Sequence, residues 1–107
     1  MSIMDEIAKS NLETMIEIYK ESKTNMDFVN FQETLKTMKG EIEEFKKGNP
    51  RFNSMIDGII QEIEKYQTAR YAGYIKRFYE GKISEITAMI SRLKAFMSTG
   101  VSREYHE

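Results

Sequence analysis

Residues 27–47 read DFVNFQETLKTMKGEIEEFKK and have the clearest helical pattern of the chain. Its apolar residues follow one another at alternating spacings of three and four: Phe28, Phe31, Leu35, Met38, Ile42 and Phe45. Residues with this spacing, a period of about 3.5, lie on one face of a helix. Lys, Glu, Gln and Thr fill most of the positions between them, as on a solvated face. The stretch therefore predicts an amphipathic second helix over residues 27–47.

The same periodicity extends toward the N-terminus. One apolar stripe is formed by Met4, Ala8, Leu12, Met15 and Tyr19, and it predicts a first helix over residues 2–23. Thr24 and Asn25 interrupt the stripe and offer a cap for the next helix. Beyond the second helix, Gly48, Asn49 and Pro50 supply a stop, because proline disfavours helical backbone in the residue before it.

Beyond Pro50 the apolar seam resumes and continues without a clear break. Its members are Phe52, Ile56, Ile59, Ile63, Tyr66, Tyr71, Tyr74, Ile75 and Phe78. This pattern predicts a long third helix of about 30 residues, or roughly 45 Å. Gly58, Gly73 and Gly81 are candidate interruptions, and we place the break near Gly81. A last stripe, from Ile83 to Met97, predicts a fourth helix over residues 82–98 with Gly100 as its stop.

These elements predict an all-α fold, an up-down antiparallel bundle of about four helices with a long third helix. The connections at 24–26 and 48–52 are short, which places consecutive helices antiparallel. Residues 1–100 are expected to form the helical bundle domain, and residues 101–107 a flexible C-terminal tail without an apolar stripe. Valine occurs only at positions 29 and 101, and no alternating apolar pattern indicates a strand.

Composition narrows the class of protein. The chain has 107 residues, of which 40% are hydrophobic and 31% charged, enough for one core but not for two domains. The absence of cysteine excludes a disulfide framework and a thiol nucleophile. The single histidine, His106, lies beside the C-terminus, so no catalytic pair suggests itself. We therefore predict a soluble, cytoplasmic, non-enzymatic protein with no membrane segment, no cofactor, no metal and no small-molecule substrate.

Two pairs of carboxylates stand one helical turn apart. They are Glu13 with Glu17, and Glu41 with Glu44, and such pairs chelate metals in some helical bundles. A di-iron bundle site also requires Glu-x-x-His motifs, and the chain has none. A solvated charged face is the favoured interpretation of both pairs.

The charge is unevenly distributed along the chain. Residues 1–49 contain 10 acidic and 7 basic residues, whereas residues 50–107 contain 7 acidic and 9 basic ones. The basic excess is concentrated between residues 65 and 82, where aromatic residues are interleaved with the cations. The candidate partner- or nucleic-acid-binding residues are Lys65, Tyr66, Arg70, Tyr74, Lys76, Arg77 and Lys82. Such a stretch suits a nucleic-acid backbone or an acidic protein.

A plainer interpretation of residues 65–82 remains open. If one helix ran through the stretch, its five cations would point in several directions rather than form one stripe. They would then solvate the outer face of the bundle while the tyrosine rings packed inward.

The eight methionines also allow two interpretations, core filling and a contact face. Those on apolar stripes are predicted to fill the core: Met4, Met15, Met38 and Met97. Three others, Met26, Met55 and Met89, are candidates for a contact face.

A few short motifs resemble a known family. They are Ile18-Tyr19-Lys20-Glu21, then Asp27-Phe28 after a short break, and later Arg70, Arg77 and Lys82-Ile83. Together they resemble the N-terminal helical domain of the GINS subunits, which bind and activate the replicative helicase. The resemblance spans about residues 15–83. It implies a scaffold in DNA replication that assembles with sister subunits and performs no reaction.

Two functions are therefore expected, in order. The first is a non-enzymatic helical protein–protein interaction or scaffold module that binds protein partners and forms homo- or hetero-oligomers. The alternative is a small helical nucleic-acid-binding protein that uses the basic-aromatic stretch 65–82.

Overall fold

The fold is an all-α bundle of four helices, as predicted. The computed structural model describes residues 3–21 and 26–104, and the side chains of residues 6–21 and 26–97. The helices are α1 (Ile3–Glu21), α2 (Phe28–Gly48), α3 (Asn53–Tyr66) and α4 (Lys76–Glu104), with short 3₁₀ turns at Pro50–Phe52 and Ala69–Tyr71. The described residues contain no strand.

Successive helices run antiparallel, which confirms the up-down arrangement. α1 packs chiefly against α4, and α2 packs chiefly against α3. Two ion pairs fix the register of α2 on α3: Lys46 Nζ lies 2.7 Å from Asp57, and Lys39 Nζ lies 2.9 Å from Glu64. Because the later α2 residue of these pairs meets the earlier α3 residue, the two helices run in opposite directions. The molecule is elongated, about 50 × 22 × 19 Å.

The core forms along the predicted stripes. Helix α2 contributes Phe31, Leu35, Met38, Ile42 and Phe45, all buried, against buried isoleucines of α3 and α4. Each fully buried side chain of this size contributes roughly 1.5–3 kcal/mol relative to an exposed one. The sequence period therefore identifies the inward face of each helix.

The predicted long third helix is wrong. Helix α3 has 14 residues and ends at Tyr66, whereas α4 has 29 residues and is the long helix. Gly81, the predicted break, lies inside α4 in an exposed position with open space where a Cβ would stand. One glycine in a helix costs only about 1 kcal/mol, which packing on both sides of it offsets. The chain reverses over residues 67–75 instead.

The helix ends also differ from expectation. Helix α4 continues through Gly100 to Glu104, so the predicted end at residue 98 is wrong. Whether residues 101–107 are flexible stays a prediction, and 105–107 lie outside the described residues. Residues 22–25, with the proposed caps Thr24 and Asn25, also lie outside the described residues. Asp27 caps α2 instead, since its carboxylate accepts a 2.7 Å hydrogen bond from the Asn30 amide.

The methionine predictions have mixed outcomes. Met15, Met38 and Met97 are buried as predicted, whereas the Met4 side chain lies outside the described part. Met26 is only 2% exposed, so its assignment to a contact face is wrong. Met55 and Met89 are half-buried and pack against the core.

No helix within the described ranges combines the length and the apolar character that a membrane crossing requires.

Candidate interaction surface

The chain reversal between α3 and α4 forms one end of the bundle. The hydroxyl of Thr68 accepts a hydrogen bond from the Arg70 amide, 3.4 Å away, which opens the 3₁₀ turn at Ala69–Tyr71. Gly73 follows with φ of +88°, in the left-handed region that glycine adopts at no steric cost. These local preferences end α3 and redirect the chain into α4.

The Tyr79 hydroxyl forms hydrogen bonds with the backbone of this reversal. It donates a 2.5 Å hydrogen bond to the Tyr71 carbonyl and accepts one of 3.1 Å from the Tyr74 amide. The Tyr79 ring lies beneath the loop, 2% exposed, and stacks on Phe31 with 4.7 Å between ring centroids. A buried side chain of α4 therefore positions the loop backbone relative to α2.

Aromatic rings make up the interior of this end. Tyr71 stacks on Phe78 at 5.6 Å and contacts Tyr66 at 5.0 Å, and Tyr74 packs on Phe78 at 4.5 Å. Aromatic pairs at these distances contribute about 0.5–1.5 kcal/mol beyond their buried area. The loop therefore packs on the bundle through its aromatic rings.

Cations surround the aromatic rings. Lys65 and Lys82 place their ammonium groups 5.5 and 5.2 Å from the centre of the Tyr66 ring, within cation–π range. The Glu85 carboxylate, 3.0 Å away, raises the pKa of Lys82, while partial burial acts in the opposite direction. Lys82 is therefore charged at neutral pH and fixed in place.

The remaining cations of the stretch are more exposed. Lys76 lies 3.9 Å from Glu80, one turn along α4. Arg70 and Arg77 form no ion pair with any residue in the described part of the chain. Lys76 and Arg77 also occupy the first turn of α4, where the positive end of the helix dipole adds to their charge. The exposed guanidinium groups of Arg70 and Arg77 therefore add positive charge at this end of the bundle.

Two large apolar side chains lie exposed among these cations. Tyr74 is 46% exposed and Ile75 is 70% exposed. Beside them, a shallow groove runs between the loop and the start of α2; its lining residues are Met26, Asp27, Phe28, Gly73, Tyr74, Lys76 and Tyr79. We call the surface made by Lys65, Arg70, Tyr74, Ile75, Lys76, Arg77 and Lys82 the basic-aromatic end.

The structure gathers most of the predicted site residues at this end, but on three elements rather than one helix. Lys65 ends α3, Arg70 lies in the 3₁₀ turn, and Lys76 begins α4. The single-helix geometry assumed for the stretch is therefore wrong. Tyr66 is buried and serves as a platform for the lysines, and its carbonyl accepts a 2.9 Å hydrogen bond from Gln32.

One surface residue was missed by the sequence analysis. Ile75 continues the apolar seam of a single long helix, which predicts that it lies in the core. Because the helix ends at Tyr66, Ile75 instead lies outside the core at the start of α4. Gly73, one of the three candidate interruptions, is the residue in the sequence that marks the chain reversal and so would have placed Ile75 outside the core.

The carboxylate pairs have partners within the protein. Glu13 lies 2.5 Å from Lys94 of α4, which lowers the pKa of that carboxyl, and Glu41 accepts a hydrogen bond from Tyr19. Glu17 and Glu44 each face a lysine of their own helix. Among the described residues, no three acidic, histidine or cysteine side chains are grouped so that they could hold a metal ion.

Comparisons with known proteins add no relative. No protein-family description, no curated protein and no solved structure matches the chain. The resemblance to the GINS helical domain stays a prediction. Several residues that carry it serve the packing of this bundle: Tyr19 and Ile83 are buried, and Phe28 contacts the Tyr79 ring.

Proposed function

We propose that this chain is a non-enzymatic helical interaction module that binds an acidic segment of a partner protein through its basic-aromatic end. The observation that carries the proposal is the exposure of Tyr74 and Ile75 beside the exposed residues Arg70 and Arg77, whose guanidinium groups have no ion pair within the described ranges 3–21 and 26–104. Apolar anchors surrounded by charge are typical of protein interfaces, where tyrosine and arginine are enriched.

Charge supplies the selectivity of this surface. Between residues 65 and 82 the sequence has five cations and one carboxylate, Glu80, which lies near Lys76. These cations lie on α3, the 3₁₀ turn and α4, Lys65 and Lys82 share the Tyr66 ring, and the start of α4 adds its dipole. Acidic partners would be attracted at long range, and basic partners would be repelled.

Apolar contact supplies the affinity. The exposed face of Tyr74 and the side chain of Ile75 would pack on an apolar residue of the partner and lose their contact with water. Because the Tyr79 hydroxyl and the ring contacts beneath hold the loop in place, little conformational entropy would be lost on binding. A preorganised surface of this kind suits a scaffold.

Single-stranded nucleic acid is the second candidate ligand. Tyr74 offers an exposed ring on which a base could stack, and the arginines could contact phosphates. Two observations favour a protein partner. The whole chain carries a net charge of −1, and Ile75, the most exposed apolar side chain of this end, offers no stacking surface.

The process that the module serves rests on the sequence resemblance alone. Resemblance to the GINS helical domain makes DNA replication the proposed process and a replication protein the proposed partner. The cytoplasm remains the proposed location, and assembly with further copies or sister subunits remains part of the proposal.

The proposal is tested by affinity capture with the full chain as bait. The informative variant is R70E/R77E, which reverses both guanidinium charges without touching the core. The matched control is R92E, because Arg92 is also an exposed arginine but lies further along α4. Captured proteins are identified by mass spectrometry, before and after nuclease treatment of the lysate.

The proposal is supported if the wild type and R92E capture a protein that R70E/R77E does not capture. The contact of that protein with the bait should also map to an acidic segment. A partner that all three baits capture equally would contradict the proposed surface. Capture that disappears after nuclease treatment would contradict the protein ligand and favour nucleic acid.

A further inference from the structure

A second surface lies between α1 and the later half of α2, away from the basic-aromatic end. The two helices approach each other loosely here, because α1 packs chiefly on α4 and α2 on α3. They leave a groove of about 490 Å³, within the range of protein ligand sites. We call it the α1–α2 groove; its lining residues are Ile7, Ala8, Asn11, Thr14, Met15, Glu41, Glu44, Phe45, Gly48 and Asn49.

The floor of the groove is apolar. Ala8, Met15 and Phe45 are buried and form part of the main core, so an apolar side chain placed here would extend that core. Ile7 stands at the edge with 52% of its surface exposed. A branched aliphatic side chain at such an edge would gain burial when a ligand covers it.

The rim of the groove is acidic. Glu41 and Glu44 are the charged residues of the lining, which contains no lysine or arginine among the side chains that the structure describes. Glu41 is held by the hydroxyl of Tyr19, whose ring is buried, so its carboxylate is fixed at the groove. Glu44 lies 3.3 Å from Lys47, but both side chains are exposed, and a pair of this kind contributes little. An incoming cation could therefore replace Lys47 at small cost.

The shape of the groove suits a helix. Its α1 wall extends from Ile7 to Met15, two helical turns or about 12 Å at 1.5 Å per residue. Two antiparallel helices with a shallow groove between them accept a third helix, which inserts side chains spaced three, four and seven residues apart.

We propose that the α1–α2 groove binds an amphipathic helix of a partner protein, which packs a large apolar side chain on Ile7 and Phe45 and places lysine or arginine beside Glu41 and Glu44. This site is independent of the basic-aromatic end and has the opposite charge preference. The chain would then hold two different partners, one acidic and one basic, which is the task of a scaffold.

The test uses two designed helical peptides of 18 residues as probes. In the first, leucines form one stripe and lysines flank it; in the second, every lysine is replaced by glutamate. Binding to the full chain is followed by amide chemical shifts and by fluorescence anisotropy. The lysine peptide is expected to shift the amides of Ile7, Ala8, Phe45 and Gly48, and the glutamate peptide is expected to leave them unchanged.

Matched variants make the test specific. I7S removes the apolar edge, and I18S is its control, since Ile18 is an equally exposed isoleucine of α1 outside the groove. E44K reverses the rim charge, and E43K is its control on a neighbouring exposed glutamate. I7S and E44K are each expected to lower the affinity for the lysine peptide by about tenfold or more. The controls are expected to lower it by less than about threefold.

Three results would overturn the proposal. The first is that both peptides shift the amides lining the α1–α2 groove with equal affinity, and the second is an equal loss of these shifts in the variants and their controls. The third is self-association of the wild-type chain that I7S abolishes, as measured by sedimentation, because the occupant would then be a second copy. None of these results bears on the basic-aromatic end, whose test uses Arg70 and Arg77.

Discussion

The hydroxyl of Tyr79 lies 2.5 Å from the carbonyl oxygen of Tyr71 and joins the first turn of α4 to the loop that precedes it. The same hydroxyl accepts a hydrogen bond from the Tyr74 amide. Because Tyr74 and Ile75 are the exposed apolar residues of the basic-aromatic end, one buried side chain sets the geometry of the surface above it. A substitution of Tyr79 is therefore expected to change both the stability of the fold and the proposed binding surface.

The first prediction concerns that hydroxyl. Y79F keeps the ring on Phe31 but removes both hydrogen bonds, so it is expected to lower the free energy of unfolding by about 1–2 kcal/mol. Amide hydrogen exchange in residues 71–75 should accelerate. Urea unfolding and exchange NMR measure the two effects. Y74F is the control, because the Tyr74 hydroxyl forms no hydrogen bond within the described structure; equal destabilisation by both variants would contradict the account.

The second prediction distinguishes two glycines. G81A is expected to stabilise the protein by about 0.5–1 kcal/mol, since Gly81 is an exposed residue inside α4 with open space around it. G73A is expected to destabilise it by about 1 kcal/mol, because Gly73 has φ of +88°. Thermal unfolding measures both. If G81A destabilised and G73A stabilised the protein, the chain would break at residue 81 rather than at 67–75.

The third prediction follows from the Glu13–Lys94 pair, which joins α1 to α4. Lys94 lowers the pKa of Glu13 below its usual 4.5 in the folded state. The pair therefore stabilises the fold fully above the unfolded-state pKa, and this contribution is lost as the pH falls through the lower folded-state value. E13Q should be less stable than the wild type near neutral pH, and the difference should vanish in acid.

Urea unfolding of the wild type and E13Q at about pH 7 and about pH 3 measures this difference. E6Q provides the control, because Glu6 is an exposed carboxylate of α1 with no ion pair among the described residues. A stability difference between the wild type and E13Q that stayed constant with pH would show that Lys94 does not act on Glu13 through charge.

The fourth prediction separates stability from binding. Arg77 lies in the first turn of α4, where the helix dipole disfavours a cation. R77E should therefore stabilise the fold by about 0.3–1 kcal/mol and at the same time weaken the binding of an acidic ligand. Thermal unfolding and ligand titration on one sample test both parts. Stabilisation without loss of binding would remove Arg77 from the proposed surface.

The sequence predicts the core well and the topology in part. Periodicity identifies buried positions such as Leu35 and Ile86, because burial on one helix face imposes the spacing directly. Periodicity misplaces the connection between α3 and α4. Tyr71 lies outside a regular α-helix, but it packs on Tyr66 and Phe78 and so continues the apolar spacing. An aromatic loop that packs on the core continues the apolar spacing and resembles a helix in sequence.

The candidate site is predicted as a list of residues but not as a surface. Charge counting selects Arg70 and Arg77 because their type and density are visible in sequence. The burial of Tyr66 and the exposure of Ile75 depend on where the chain turns, and a single φ value at Gly73 decides that turn. The α1–α2 groove depends on how loosely two helices pack, which no local pattern encodes.

Binding of acidic partners by the basic-aromatic end is tested most directly by an NMR titration of the full chain with a 15-residue peptide in which glutamates alternate with leucine and phenylalanine. Amide shifts are expected within residues 65–82, with an affinity that falls with added salt and that is about tenfold or more weaker in R70E/R77E but not in R92E. Shifts elsewhere in the chain, or equal loss in both variants, would contradict the claim that the basic-aromatic end binds acidic partners.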